Sequence, residues 1–327
     1  MGAITYRDLV ATFGSAERAF DEAPGLKGRQ AALTSADEAM ARAGRVGARL
    51  LLPTDDDWPA ALRDLPDPPH ALFAVGDLAV ARAPLVAIVG TRGATSYGER
   101  VAREIAGALA RAGVGVISGL ARGIDGCAHR AALERGGRTV AVLGTGVDIA
   151  YPAAHRTLHA QIGRRGLLLS EELPGERANG GSFPKRNRII AALAQATIVV
   201  EAPARSGALI TAAHALELGR QVAAVPGPID APHSVGSNEL LRDGAIVIAA
   251  VTDALALVGA VPPVRSLPPL ATPAERAVWT ALAAGPADLD LLAARAALPA
   301  RDCLAAVTAL ELAGAVECEM TGQVRRR

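Results

Sequence analysis

Between residues 84 and 250 the chain alternates between two hydrophobic rhythms. Short, unbroken apolar runs recur: LVAIVG (85–90), VGVIS (114–118), RTVAVLG (138–144), LLLSE (167–171), TIVVEA (197–202), QVAAVPG (221–227) and AIVIA (245–249). A strand with no polar alternation is covered on both faces, which is the mark of a parallel sheet carrying helices on each side. The intervening stretches have helical period. In YGERVAREIAGALARAG, Val101, Ile105, Ala108, Leu109 and Ala112 share one stripe, charged residues fall elsewhere, and Gly113 ends the helix. The pattern predicts a doubly wound α/β domain.

Outside that region the rhythm changes. Residues 1–55 read as short helices, Tyr6–Phe13, Ala16–Ala23 and Ser35–Ala43, the last capped by Thr34 or Ser35. A Pro- and Asp-rich connector then ends in a short strand near Ala71–Val75. The central domain is expected over 56–258 and a Pro-rich linker over 259–272. Residues 273–327 hold three helical segments and a hairpin, the order of a winged helix. Its third helix, RDCLAAVTALELA, is poor in the Arg, Lys, Asn and Gln that read bases, so a structural or protein-binding role is expected there.

Composition narrows the class. A net charge of +1 advertises no polyanion partner, so any basic surface is local. Three separated cysteines, Cys127, Cys303 and Cys318, form neither a disulfide framework nor a CxxC zinc site, and a reducing cytoplasm is expected. No basic n-region precedes an apolar run, and no apolar run is long enough for a membrane span. His155 and His159 stand four apart on a helix without an evident third ligand, so neither a metal nor a cofactor is expected.

Ligands of open parallel sheets bind beyond the carboxyl ends of the strands, and here those ends run into rich loops. They are GTRGATSYG (90–98), SGLARGID (118–125), GTGVDIAYP (144–152), the helix approach FPKRNR (183–188) and EAPARSGALIT (201–211), where Ser206 and Gly207 open a helix. Each Gly-rich turn at a helix N-terminus can seat a phosphate, although any strand-to-helix connection needs such a turn. Arg92, Arg122, Lys185, Arg186, Arg188 and Arg205 all sit on these segments, and Lys185 is one of only two lysines. Cations at a helix start oppose the macrodipole, which points to a purpose other than stability. Phe183, Tyr97 or Tyr151 can stack a base. The reading fails if Arg92 and Lys185 face opposite sides of the molecule, or are tied to carboxylates and sealed from any opening.

These loops resemble the DNA-processing protein A (DprA/Smf) family. The resemblance rests on VAIVGTRGATSYG (86–98), ISGLARGIDGCAHRAAL (117–133), TVAVLGTGVDIAYP (139–152), FPKRNRIIAAL (183–193) and VVEAPARSGALITAAHALELGRQVAAVPGPI (199–229), in the family's order. It implies an extended Rossmann-like, mostly parallel sheet that binds single-stranded DNA and is not an enzyme. It also implies a homodimer that protects incoming DNA and loads RecA in natural transformation. The family's DNA-contacting pocket matches Arg92, Gly119, Phe183, Lys185, Arg186 and Asn187. The rival class is an enzyme such as the LOG-type nucleotide phosphoribohydrolases. Their Glu follows a PGGxGT turn closely, whereas here the first Glu after APARSG is Glu217.

Overall fold

The computed structural model describes residues 9–10, 12–23, 29–261, 270, 272–319 and 322–326. These divide into two compact units at 263/264. The larger begins with helices α1 (Ala16–Glu22) and α2 (Arg29–Arg45). Helix α2 runs through Thr34 and Ser35, which therefore sit mid-helix rather than at a cap. The part of the expected first helix at Tyr6 lies outside the described residues, as do 262–269 and 271 of the expected linker.

The apolar runs become strands β1 (Arg49–Leu51), β2 (Leu72–Gly76), β3 (Leu85–Val89), β4 (Gly115–Ser118), β5 (Thr139–Leu143), β6 (Leu167–Ser170), β7 (Ala196–Val199), β8 (Gln221–Ala224) and β9 (Ile246–Val247). Between them lie helices α3 (Ser96–Arg111), α4 (Ile124–Glu134), α5 (Arg156–Arg165), α6 (Ser182–Leu193), α7 (Gly207–Glu217) and α8 (Val235–Arg242), and α9 (Val251–Ala256) follows β9. One nine-stranded sheet has the order β1-β2-β6-β5-β4-β3-β7-β8-β9. It is parallel except where β2 pairs antiparallel with β1 and β6. The placement of β1 corrects the expected boundary at 55/56. Residues 49–51 belong to the sheet, because Arg49, Leu50 and Leu51 pair with Ala74, Phe73 and Leu72.

Strand β3 shows why the sheet is covered on both sides. Leu85, Ala87 and Val89 enter one core with Ile189, Leu193, Ala212 and Ala215 of α6 and α7. Val86 and Ile88 enter the other with Ala102, Ile105 and Leu109 of α3 and Ala128 of α4. Each fully buried Val, Leu or Ile contributes about 1.5–3 kcal/mol. Strands that are apolar on both faces have no polar alternation to fix their register. Buried hydroxyls supply a substitute: Ser118 Oγ donates to Ile88 O at 2.6 Å and Thr139 Oγ1 donates to Val116 O at 2.9 Å, each tying a strand to its neighbour.

The smaller unit packs α10 (Pro273–Ala281), α11 (Leu289–Ala296) and α12 (Ala300–Leu312) against an antiparallel pair, β10 (Val316–Cys318) with β11 (Val324–Arg326). Val278, Leu292, Val307, Leu310 and Val324 fill its core. The outer face of α12 carries exposed Leu304 and Leu312.

His129 lies fully buried in α4. Because the Thr139 hydroxyl already donates to Val116 O, the His129 Nδ1–H donates to Thr139 Oγ1 at 2.7 Å and the ring is neutral. Burial, helped by His155, Arg186 and Arg130, pushes its pKa down to about 3. The unfolded chain therefore takes up a proton near pH 6.5 that the folded chain refuses. That stability is complete above about pH 6.5 and is lost as pH falls toward 3, at about 1.4 kcal/mol per pH unit. Urea unfolding at successive pH values below 6.5 is expected to show this fall, and His129→Leu to make it shallower. Parallel pH profiles for the two proteins contradict the assignment.

Candidate nucleic-acid interface

Strand β3 lies between β4 and β7, so the chain winds outward from it in both directions. The carboxyl ends of β3 and β7 therefore flank the switch point, where an open α/β sheet forms its crevice. Three loops meet there through their backbones. Thr91 N donates to Glu201 O at 2.7 Å, and Ile124 N donates to Thr91 O at 3.3 Å. Gly123, at φ 69°, lies against the Thr91 and Arg92 carbonyls, where a Cβ has no room. Thr95 caps α3 by accepting from Gly98 N, and the buried Glu201 carboxylate accepts from Thr95 N at 2.9 Å and Thr95 Oγ1 at 2.5 Å.

Behind these loops lies a polar lock. Asp125 accepts from Gly119 N at 3.2 Å and Ala121 N at 3.3 Å, while His155 Nδ1 donates to Leu120 O at 3.0 Å. Between those bonds Leu120 is held at φ 57°, a left-handed conformation costing about 1–3 kcal/mol. Arg205, on the next rim loop, also has positive φ, at 61°. His159 Nε2 donates to Val147 O at 3.0 Å, so His155 and His159 each fix a loop carbonyl.

Arg186 is buried beneath the rim. Its Nη1 donates to Gly119 O at 2.7 Å and to Val142 O, and its Nε donates to Asn187 Oδ1 at 3.1 Å. Asn187 Nδ2 in turn donates to Gly207 O at 3.2 Å. One Arg–Asn pair on α6 thus clamps the ends of β4 and β5 and the start of α7. Burial lowers the Arg186 pKa to about 10, with Arg92 adding to the shift and attraction to Asp125 opposing it, so the side chain stays charged at neutral pH. Burial also raises the Asp125 pKa, against the attraction of Arg186.

Above the clamp runs a groove with two lobes. One, of about 500 Å³, is lined by Thr91, Arg92, Phe183, Arg186, Ser206 and Gly207. The other, of about 470 Å³, is lined by Arg92, Gly119, Arg122, Tyr151, Phe183 and Arg186. Arg92 and Phe183 stand where the lobes join, with the exposed Arg92 guanidinium 5.4 Å from the Phe183 ring centroid. The Tyr151 ring lies 5.2 Å beyond, tilted by 36°. Ser206 caps α7 and Gly207 opens it, leaving an accessible helix N-terminus on the groove wall.

The structure sorts the expected cations into three kinds. Arg92 and Arg122 are exposed on the groove. Arg186 lines it while bound to the scaffold. Arg188 does neither, which corrects its assignment as a ligand-facing cation. It is 8% exposed, forks onto Glu171 at 2.9 and 3.0 Å, and donates to Asp67 O and Lys185 O. Lys185 is also displaced from expectation, since it does not share the Arg92 groove. Its half-exposed ammonium lies 3.3 Å from Glu171, beside a separate depression. Helical period explains the division. Phe183, Arg186, Asn187 and Ile190 line the groove, while Lys185 and Arg188 turn toward Glu171. Tyr97 is directed away, with its hydroxyl on Pro226 O at 3.1 Å. Glu217 lies at the far end of α7, where it meets His214 at 3.2 Å. Sequence reasoning missed Asp125 and His155 as the loop lock. An acid in the first turn of α4 is the available signal for Asp125.

Gly119 leaves space that the Arg186 guanidinium fills, and a Cβ there lies 2.5–2.6 Å from it. Gly119→Ala is expected to push Arg186 off its carbonyls and lower unfolding free energy by about 1–3 kcal/mol, measured by denaturant titration. A loss under about 0.5 kcal/mol contradicts the clamp.

Comparison with known proteins places this architecture. Residues 49–259 match the family described as DNA recombination-mediator protein A, and residues 261–326 match the DprA winged helix domain. A Mycobacterium tuberculosis (strain H37Rv) protein named as a DNA processing protein DprA is 43% identical over 297 residues, 84% of this chain and 76% of that one. The crystal structure of DNA processing protein A from Streptococcus pneumoniae aligns at TM-score 0.62 and 42% identity, covering 64% of this chain and 73% of that chain. The Helicobacter pylori protein, whose structure is described in terms of its single-stranded DNA binding mode, aligns at TM-score 0.60 and 31% identity, covering 64% and 95%. This chain belongs to the DNA recombination-mediator protein A family.

Proposed function

We propose that the protein binds single-stranded DNA along the rim of its sheet, gripping the backbone at the β3/β7 switch point. The observation that carries this reading is Arg92. It is exposed, lies over Phe183, and stands where two groove lobes meet above helix N-termini and Gly-rich turns. Phosphate oxygens suit such a seat, because the exposed Arg92 guanidinium and the N-terminus of α7 line the same groove. The Phe183–Tyr151 pair offers a face for an unstacked base, which a duplex does not present. The Helicobacter pylori neighbour's single-stranded DNA binding and the family membership support the reading.

In this proposal Arg92 and Arg122 hold phosphates, and Arg186 adds a fixed charge from below. Ser206 and Gly207 allow close backbone approach, Gly119 leaves room for the Arg186 guanidinium beneath the groove, and Asn187 holds the start of α7 in place. Phe183 stacks a base. Lys185 meets the strand farther along, on the flank of α6. Delivery of the bound strand to RecA by a homodimer is the finer part of the same proposal, supported by family membership. Among the described residues no helix is long and apolar enough to cross a membrane.

Fluorescence anisotropy with oligo-dT tests the seat. Arg92→Ala is expected to weaken binding about tenfold and to lower the salt slope by roughly 0.7 for each phosphate no longer neutralised. Phe183→Ala is expected to cost about 1–3 kcal/mol of binding. Unchanged affinity in the Arg92→Ala protein contradicts the proposal. Arg188→Ala behaves differently, because it removes the forked partner of the largely buried Glu171 and leaves only the half-exposed Lys185 beside it. Its effect, about 3 kcal/mol, is expected in thermal or denaturant unfolding rather than in the salt slope of binding.

A further inference from the structure

A second depression, of about 380 Å³, lies on the other flank of α6, among Met40, Leu50, Phe73, Leu173, Glu171 and Lys185. We infer that it is a base subsite for a nucleotide flanking those held at the rim, with that nucleotide's phosphate on Lys185. The inference rests on the proposed nucleic-acid reading of the rim.

Three observations support it. The first is continuity. Lys185 stands two residues after Phe183 on the first turn of α6, and Pro184 between them is exposed and lines the rim groove. A strand leaving the Phe183 ring over Pro184 meets the Lys185 ammonium next. The second is charge. Both Glu171 oxygens are already taken by the Arg188 fork, at 2.9 and 3.0 Å, so Lys185 at 3.3 Å is the outer partner. Its side chain is 50% exposed. A half-exposed ammonium at the edge of a carboxylate already held by Arg188 adds little, and a phosphate oxygen can replace that contact without leaving Glu171 uncompensated. The third is the wall. Met40, 46% exposed on α2, lines the depression together with Leu50, Phe73 and Leu173. A flat base has apolar faces that such a wall covers, and a thioether makes favourable contact with an aromatic ring. The volume falls within the range of small-ligand sites, about 300–1,000 Å³. A half-exposed cation beside a mostly apolar lining matches a nucleotide, whose phosphate stays wet while its base is buried.

The test combines two readouts on the full chain. Anisotropy titrations compare wild type, Met40→Ser and Arg92→Ala, each with oligo-dT and with a strand of equal length whose bases are replaced by abasic spacers. Separately, oligo-dT carrying 4-thiothymidine is crosslinked to wild type and the adducts are mapped by mass spectrometry. Met40→Ser is expected to weaken oligo-dT about fivefold or more and to leave the abasic strand unchanged. Crosslinks are expected at Met40 or Leu173 as well as at Phe183. Unchanged abasic binding also reports that the variant is folded, since that strand still needs the rim. If Met40→Ser binds oligo-dT normally while Arg92→Ala does not, and crosslinks stop at Phe183, the subsite falls and the rim reading stands. Equal weakening of both strands by Met40→Ser also overturns the subsite. If Arg92→Ala too binds normally, both readings fall.

Discussion

Arg186 carries a full positive charge into a place that water hardly reaches, and the rest of the rim is arranged to make that tolerable. Its donors meet carbonyls at the ends of β4 and β5 and the Asn187 amide, which passes the connection to the start of α7. A guanidinium buried without such partners would cost several kcal/mol. With them it becomes a fixed strut that sets the spacing of three loops. Asp125 and His155 hold the SGLA turn from the opposite side and keep Leu120 in its strained conformation. The rim is therefore built before any ligand arrives, which reduces the ordering cost that a flexible loop would incur on binding.

That arrangement divides the cations by task. Arg186 and Arg188 lie in the interior and satisfy scaffold acceptors, while Arg92 and Arg122 stay in solvent on the groove. Lys185 lies between these roles, half exposed beside a carboxylate that Arg188 already neutralises. A local seat of this kind needs no excess of cations over the whole chain, whose net charge is +1. In the winged-helix unit the exposed residues of α12 include Leu304 and Leu312.

Most of the sheet is legible in the sequence because its strands are buried on both faces, and short, β-branched runs such as LVAIV bounded by turn residues suit such strands. The β1–β2 edge is not, because RLL is three residues long and gains strand character only by pairing with Leu72–Ala74. Helix α2 begins earlier than its pattern suggests, since Thr34 and Ser35 carry the chemistry of a cap, and only backbone geometry tells a cap from a mid-helix hydroxyl. At the site, the gathering of Arg92, Phe183 and the FPKRNR segment is legible, and so is the reason for Gly-rich turns. Which way each side chain on α6 points is within reach of the helical period, since Phe183, Arg186, Asn187 and Ile190 share a face that Lys185 and Arg188 do not. Asp67 and Glu171, which claim Arg188, lie 121 and 17 residues away, and no local pattern announces them.

The central claim is that the rim at the switch point, held open by Arg186, seats the phosphates of an unpaired strand. A crystal structure of the protein with bound oligo-dT tests it most directly. Phosphate oxygens are expected on the Arg92 guanidinium and at the start of α7, with a base against Phe183. A strand bound elsewhere, with the Arg92–Phe183 junction empty, contradicts it.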